Sequence, residues 1–128
     1  MQLTFLGTSA GTEPMPGRGE PADGQTWQSF SFRLQAGQSG VVFSGDIADI
    51  AELDPLIEDG DTVLVETGHH RVEDICDHIK NAPKPPGKVI FIHHGRAILA
   101  DPDGELHKAR AILGDRVLFA EDALTLEL

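Results

Sequence analysis

One cysteine in 128 residues leaves no partner for an internal disulfide, and a reducing compartment, the cytoplasm, is the expected location. No run approaches the ~20 apolar residues of a membrane span, and Met1 leads straight into LTFL with nothing shaped like a signal peptide. Neither membrane insertion nor export is expected. Lysine and arginine total 10 against 21 aspartates and glutamates, a formal net charge of −11, and the basic residues are scattered. Phosphate backbones and anionic lipids need clustered cations, so nucleic acid and membrane surfaces are excluded as expected partners. Internal repeats, low-complexity tracts and interdomain linkers are missing too, and a chain of this length makes one domain, 1–128, with a modest core. GTSAG, at residues 7–11, is not a phosphate loop: no Lys-Ser/Thr ending and no helix follow it.

What is present is a regular succession of apolar runs, 40% of the residues being hydrophobic. Gln2–Leu6 alternates and stops at Gly7, which predicts a strand. Residues 9–28 are rich in glycine and proline and have no period, so they form a long loop, with Trp27 at its end as an interface anchor or a core cap. Phe30, Phe32 and Leu34 fall on one side of a half-buried strand over 29–36, and a turn at 37–40 leads into a second strand over 41–44. Residues 47–59 suit a short helical piece broken at Asp54-Pro55, where Asp54 would cap and Pro55 would open the next turn. TVLVE at 62–66 and 88–92 are buried strands.

Val72, Ile75, Cys76 and Ile79 recur at i, i+3, i+4 and i+7, an amphipathic helix with Cys76 in the core and His78 off the apolar side. A further helix spans 106–113, closed by Gly114, with His107 in solvent. The strands 117–120 and 124–128 pair around Glu121-Asp122. Strands alternating with helices imply an α/β layer with a mixed sheet and helices on one face.

Three apolar strands end in polar residues: VVFSGD at 41–46, ETGHH at 66–70 and IHHG at 92–95. If these tips share a rim, Asp46 reads as a metal ligand with Gly45 beside it for backbone room, or as the cap of the following helix. His93 or His94 reads as an imidazole ligand or as a buried histidine satisfied by the backbone. Neighbouring strand residues point to opposite faces, so the two do not serve one ion. His69 and His70 are candidates for a site role or for the first turn of the helix. Glu66 could orient a histidine, or reach solvent as its strand ends.

MQLTFLGTSAGTEPMPGR, SFSFRL, VVFSGD, LVETGHHRVEDIC, VIFIHHG and VLFAEDALTLEL, in that order, resemble the metallo-β-lactamase-fold hydrolases of the ribonuclease Z and phosphodiesterase-like branch. The resemblance covers nearly the whole chain, yet the HxHxDH motif that supplies most of that family's metal ligands is missing. It implies half of an αββα sandwich, with the 9–28 loop standing in for the lost segment. It also implies metal ligands at Asp46 and at His93 or His94, and an assisting catalytic histidine at His69 or His70. The cofactor it implies is zinc or another divalent ion such as manganese or iron, though one carboxylate and one imidazole fall short of a complete zinc site, which leaves no metal at all as the other outcome.

Half a sandwich exposes a sheet face, and large apolar patches mark interfaces. A homodimer in which each chain supplies one layer would restore the fold; a complementary half-domain protein would do the same. Two functions follow. One is a metal-dependent hydrolase of phosphodiester or ester bonds with weak or absent activity. The alternative is a non-catalytic dimeric or partner-binding module.

Overall fold

The computed structural model describes residues 1–5 and 29–128. Trp27, the GTSAG stretch and the 9–28 loop lie outside the described residues. Five strands form the main sheet in the order β2-β3-β4-β5-β6, where β2 is Phe32–Ala36, β3 Ser39–Phe43, β4 Thr62–Glu66, β5 Lys88–Ile92 and β6 Val117–Phe119. The β2–β3 pair is an antiparallel hairpin, while β3, β4, β5 and β6 are mutually parallel. The sheet is therefore mixed, and the fold is α/β as expected.

Period-two alternation sorts the parallel strands onto two faces. Val42, Val63, Val65, Val89, Phe91 and Val117 point to one side, where they pack with Leu53, Ile75, Cys76, Ile79 and Leu113 from the connecting segments. Val41, Leu64 and Ile90 point to the other side and meet Phe5, Leu3, Leu124 and Leu126. The helices thus occupy one face. A parallel connection must carry the chain back across the sheet, so each crossover delivers its helix to that face.

Helix α1, Val72–Lys80, buries the four residues that its spacing marked, Val72, Ile75, Cys76 and Ile79. Burial pushes the Cys76 thiol up to about 12, as expected for a core cysteine. The helical piece expected over 47–59 differs from expectation. Residues 50–53 form a single 3-10 turn capped by Asp49, whose side chain accepts the Ala51 N–H; Asp54 ends that turn and does not begin the next. Asp54 instead meets His78 Nε2 at 2.8 Å, which places His78 partly buried against the turn.

The helix expected over 106–113 starts earlier, as α3, Pro102–Leu113, because Asp101 caps the Gly104 N–H and Pro102 sits at the first helical position. Before it lies α2, Arg96–Ala100, which has no apolar period of its own to announce it. Gly114 closes α3 with φ 69°, a left-handed conformation.

The last two strands do not pair with each other. β6 joins the main sheet beside β5, and β7, Thr125–Glu127, pairs antiparallel with β1, Gln2–Thr4, as a separate two-stranded sheet. The Glu121-Asp122 turn, with Ala123 at φ 67°, moves the chain from one sheet to the other instead of folding it back. β2 departs from expectation as well: Phe32 and Leu34 share a side, but that side is exposed, not half-buried. Among the described residues, no helix is long and apolar enough to cross a membrane.

Candidate metal centre

Parallel strands end at the same edge of a sheet, and in open α/β sheets that carboxyl edge is where ligands bind. Asp46 follows β3, Glu66 closes β4, His69 lies three residues beyond it, and His93 follows β5. The three polar tips read from the sequence therefore do converge on one rim.

The backbone at the first tip is shaped by Gly45. Its φ is 58°, and a Cβ there would sit 2.6 Å from the Phe30 carbonyl oxygen and 2.7 Å from Ser29 Oγ. Only glycine combines that conformation with that approach. The Ser29 hydroxyl accepts the Asp46 N–H at 2.8 Å, and Ser31 Oγ donates to the Ser44 carbonyl at 2.6 Å. Ser44, fully buried, accepts the Glu66 N–H through Oγ at 3.0 Å and donates to the Gly45 carbonyl. The tips of β3 and β4 are thereby tied together, with the Asp46 side chain left exposed.

Glu66 is 1% exposed and fully engaged. Its Oε1 accepts from His69 Nδ1 at 2.9 Å and from the Ile47 N–H at 3.4 Å, and its Oε2 accepts the His69 N–H at 3.1 Å. A carboxylate taken out of water needs such donors. Of the two readings of Glu66, the histidine-orienting one holds: it fixes His69 by ring and backbone together. With Nδ1 protonated toward the carboxylate, Nε2 becomes the ring's lone-pair nitrogen.

One carboxylate oxygen from each of Asp46 and Glu66 and one ring nitrogen of His69 lie within 4.8 Å of one another, close enough to hold a metal ion. Carboxylate and imidazole donors suit zinc, manganese or iron, and since both Glu66 oxygens are already held by His69 and Ile47, the open donors are Asp46 and His69. An ion bound through His69 Nε2 keeps the Glu66–Nδ1 hydrogen bond, the usual support of a metal-ligating histidine. An ion bound through Nδ1 would have to replace that bond.

The remaining histidines separate. His93 stacks on His69 with ring centroids 6.0 Å apart and an interplanar angle of 25°. It is held at φ 51°, a left-handed conformation that costs on the order of 1–3 kcal/mol and is concentrated at functional sites. His94 turns elsewhere: it is buried, its Nε2 donates to the Ala120 carbonyl at 2.7 Å, and its ring lies against Phe119. His70 Nε2 donates to the Ile47 carbonyl at 2.6 Å and lies 3.5 Å from Glu66 Oε1, which ties the loop after β3 to the loop after β4. The rim thus gathers Asp46, His69 and His93, adds Glu66, and leaves His70 and His94 in backbone hydrogen bonds. The sequence offered Glu66 as a support for a histidine or as a carboxylate reaching solvent, not as a member of the cluster. Its place directly after the apolar Val63-Leu64-Val65 run was the signal for a buried carboxylate.

Beside the cluster opens a cleft of about 440 Å³ between the two sheets, with Gly45, Glu66 and His93 at its polar end. No family model matches the chain, and no curated protein matches it.

Proposed function

We propose that this chain is a metal-dependent hydrolase of small phosphodiesters or esters, with an incomplete site and correspondingly weak activity. The observation that carries the reading is the approach of Asp46, Glu66 and His69 ligand atoms to within 4.8 Å at the carboxyl edge of parallel strands. Asp46 and His69 would hold the ion, and Glu66 orients His69 from beneath. A divalent ion bound there supplies Lewis acidity and brings the pKa of a coordinated water towards neutrality. His93, stacked on His69, would donate a proton to the leaving oxygen as the ester C–O or P–O bond breaks, while the attacking water loses a proton to solvent as its oxygen bonds to carbon or phosphorus. The acidic surface disfavours large polyanionic substrates and leaves small ones.

The resemblance to the metallo-β-lactamase fold supports a metal-dependent hydrolase but gives His93 to the ion and His69 to proton transfer, the reverse of the roles above; it also implies one layer of a sandwich, completed by a second copy of the chain. Metal content per chain after tag-free purification is the test. Near-stoichiometric zinc, manganese or iron supports a working site; metal-free protein that takes up none of these ions on titration refutes it.

A second reading, a non-catalytic dimeric module, is favoured by a different observation. Phe30, Phe32 and Leu34 are 72%, 45% and 54% exposed on the edge strand and the residues leading into it. Apolar residues in such a row are the kind of surface a partner covers. A metal-free dimer would leave this reading standing.

A further inference from the structure

The cleft between the sheets has two chemically distinct ends. Along most of its length the walls are apolar, with Leu3 and Leu128 on the small-sheet side and Val41, Leu64, Phe32 and Leu34 on the other. At one end stand Glu66 and His93, which also border the candidate metal centre. At about 440 Å³ it falls within the ~300–1,000 Å³ of small-molecule sites. A second copy of the chain closing over the cleft would take the partly exposed His93 out of water, while Glu66 is already buried and hydrogen-bonded. A ligand with a polar head and an apolar tail matches both ends.

We propose that the cleft binds the apolar chain of the substrate. Resting on the hydrolase reading above, this makes the substrate a small ester or phosphodiester carrying an unbranched alkyl chain, with its reacting head at the Glu66–His93 end. Chain length then sets specificity: each methylene moved from water into the cleft strengthens binding roughly threefold to fourfold, until the cleft is full.

The test separates the cleft from the chemistry. Neutral n-alkanols from butanol to decanol are titrated calorimetrically into metal-free protein, since a neutral head is not repelled by Glu66. The expected result is the stepwise gain per methylene followed by a plateau, with a loss of at least tenfold in Phe32→Asn/Leu34→Asn; both side chains are exposed, so the fold tolerates the change. Phe30→Asn, outside the cleft, is expected to leave alkanol binding unchanged. No gain with chain length overturns the proposal, as does a gain that survives Phe32→Asn/Leu34→Asn. So does a wild-type dimer that excludes alkanols until Phe30→Asn separates it, for then the second copy is the occupant.

With zinc or manganese added, kcat/KM for acyl esters and for alkyl phosphodiesters is then followed along the same series. The arm that rises with chain length identifies the head group, and a flat response in a hydrolysing protein overturns the assignment of the cleft to the substrate. Alkanol binding without metal uptake or hydrolysis upholds the apolar-chain site while the hydrolase reading fails.

Discussion

Glu66 Oε1 lies 2.9 Å from His69 Nδ1, and the same carboxylate, through Oε2, holds the His69 N–H at 3.1 Å. One buried side chain thus sets both the tautomer and the position of the imidazole above it. Replacing it tests whether that arrangement serves an ion. Glu66→Gln keeps the shape but removes the charge that favours the Nδ1–H tautomer, and metal affinity is expected to fall about 10–100-fold. Competition against a chromophoric chelator measures it; unchanged affinity would remove Glu66 from the centre.

Asp46→Ala separates ligation from folding. The side chain is exposed, and its backbone N–H keeps the bond to Ser29. Stability should stay within about 0.5 kcal/mol of the parent in urea unfolding, while metal per chain drops sharply. A folded variant that binds metal as before would exclude Asp46 as a ligand.

The edge strand is locked by a different carboxylate. Asp61, 3% exposed, accepts from Arg33 Nε at 2.7 Å and Nη2 at 2.8 Å, and from the Glu58 N–H at 2.9 Å. The guanidinium holds the Asp61 carboxyl below its ordinary range. A depressed folded-state pKa means that this stabilisation is present above about pH 4, the ordinary aspartate value, and is lost as the pH falls through the folded-state value. Asp61→Asn is expected to cost on the order of 2 kcal/mol at neutral pH, with the gap from the parent closing in acid. Denaturant unfolding at neutral and acid pH measures the gap, and a gap that stays constant would sink the account.

Cys76 offers a probe of the core. With the thiol pushed up to about 12 and no exposed surface, almost none of it is thiolate at pH 8. A disulfide reagent should react at once in urea but only at the rate of unfolding in native buffer. Fast native labelling would mean that α1 does not cover it.

The mass in solution decides the partner. A dimer is expected at low micromolar concentration, with Phe30→Ser/Phe32→Ser shifting it towards monomer. Light scattering that gives a monomeric parent chain would refute the completed-sandwich reading.

Much of the fold was legible because burial imposed a period. Val72, Ile75, Cys76 and Ile79 spelled out α1, and the unbroken Val63-Leu64-Val65 run within TVLVE gave a strand buried on both faces. The apolar-to-polar change at Asp46, Glu66 and His93 gave the rim, since parallel strands bring their tips together. What stayed hidden depended on contacts far apart in sequence. Nothing local in 124–128 says that it pairs with 2–4 in place of 117–119, and adjacent histidines carry no mark of which faces the rim. His93 and His94 are told apart only by their distant partners, His69 for one and Ala120 for the other.

The pairing of β1 with β7 joins residues such as Gln2 and Glu127, which are 125 positions apart. Closing so long a loop costs entropy that three-residue strands do not recover by themselves, so this pair should assemble last, on a main sheet already formed. By the same reasoning it should open first. Its amides should exchange with solvent through a low-energy local opening, well before those of β4 and β5. Since Leu3 and Leu128 are wall residues of the cleft, the slowest-forming and earliest-opening part of the domain would also set how readily the space between the sheets admits a guest.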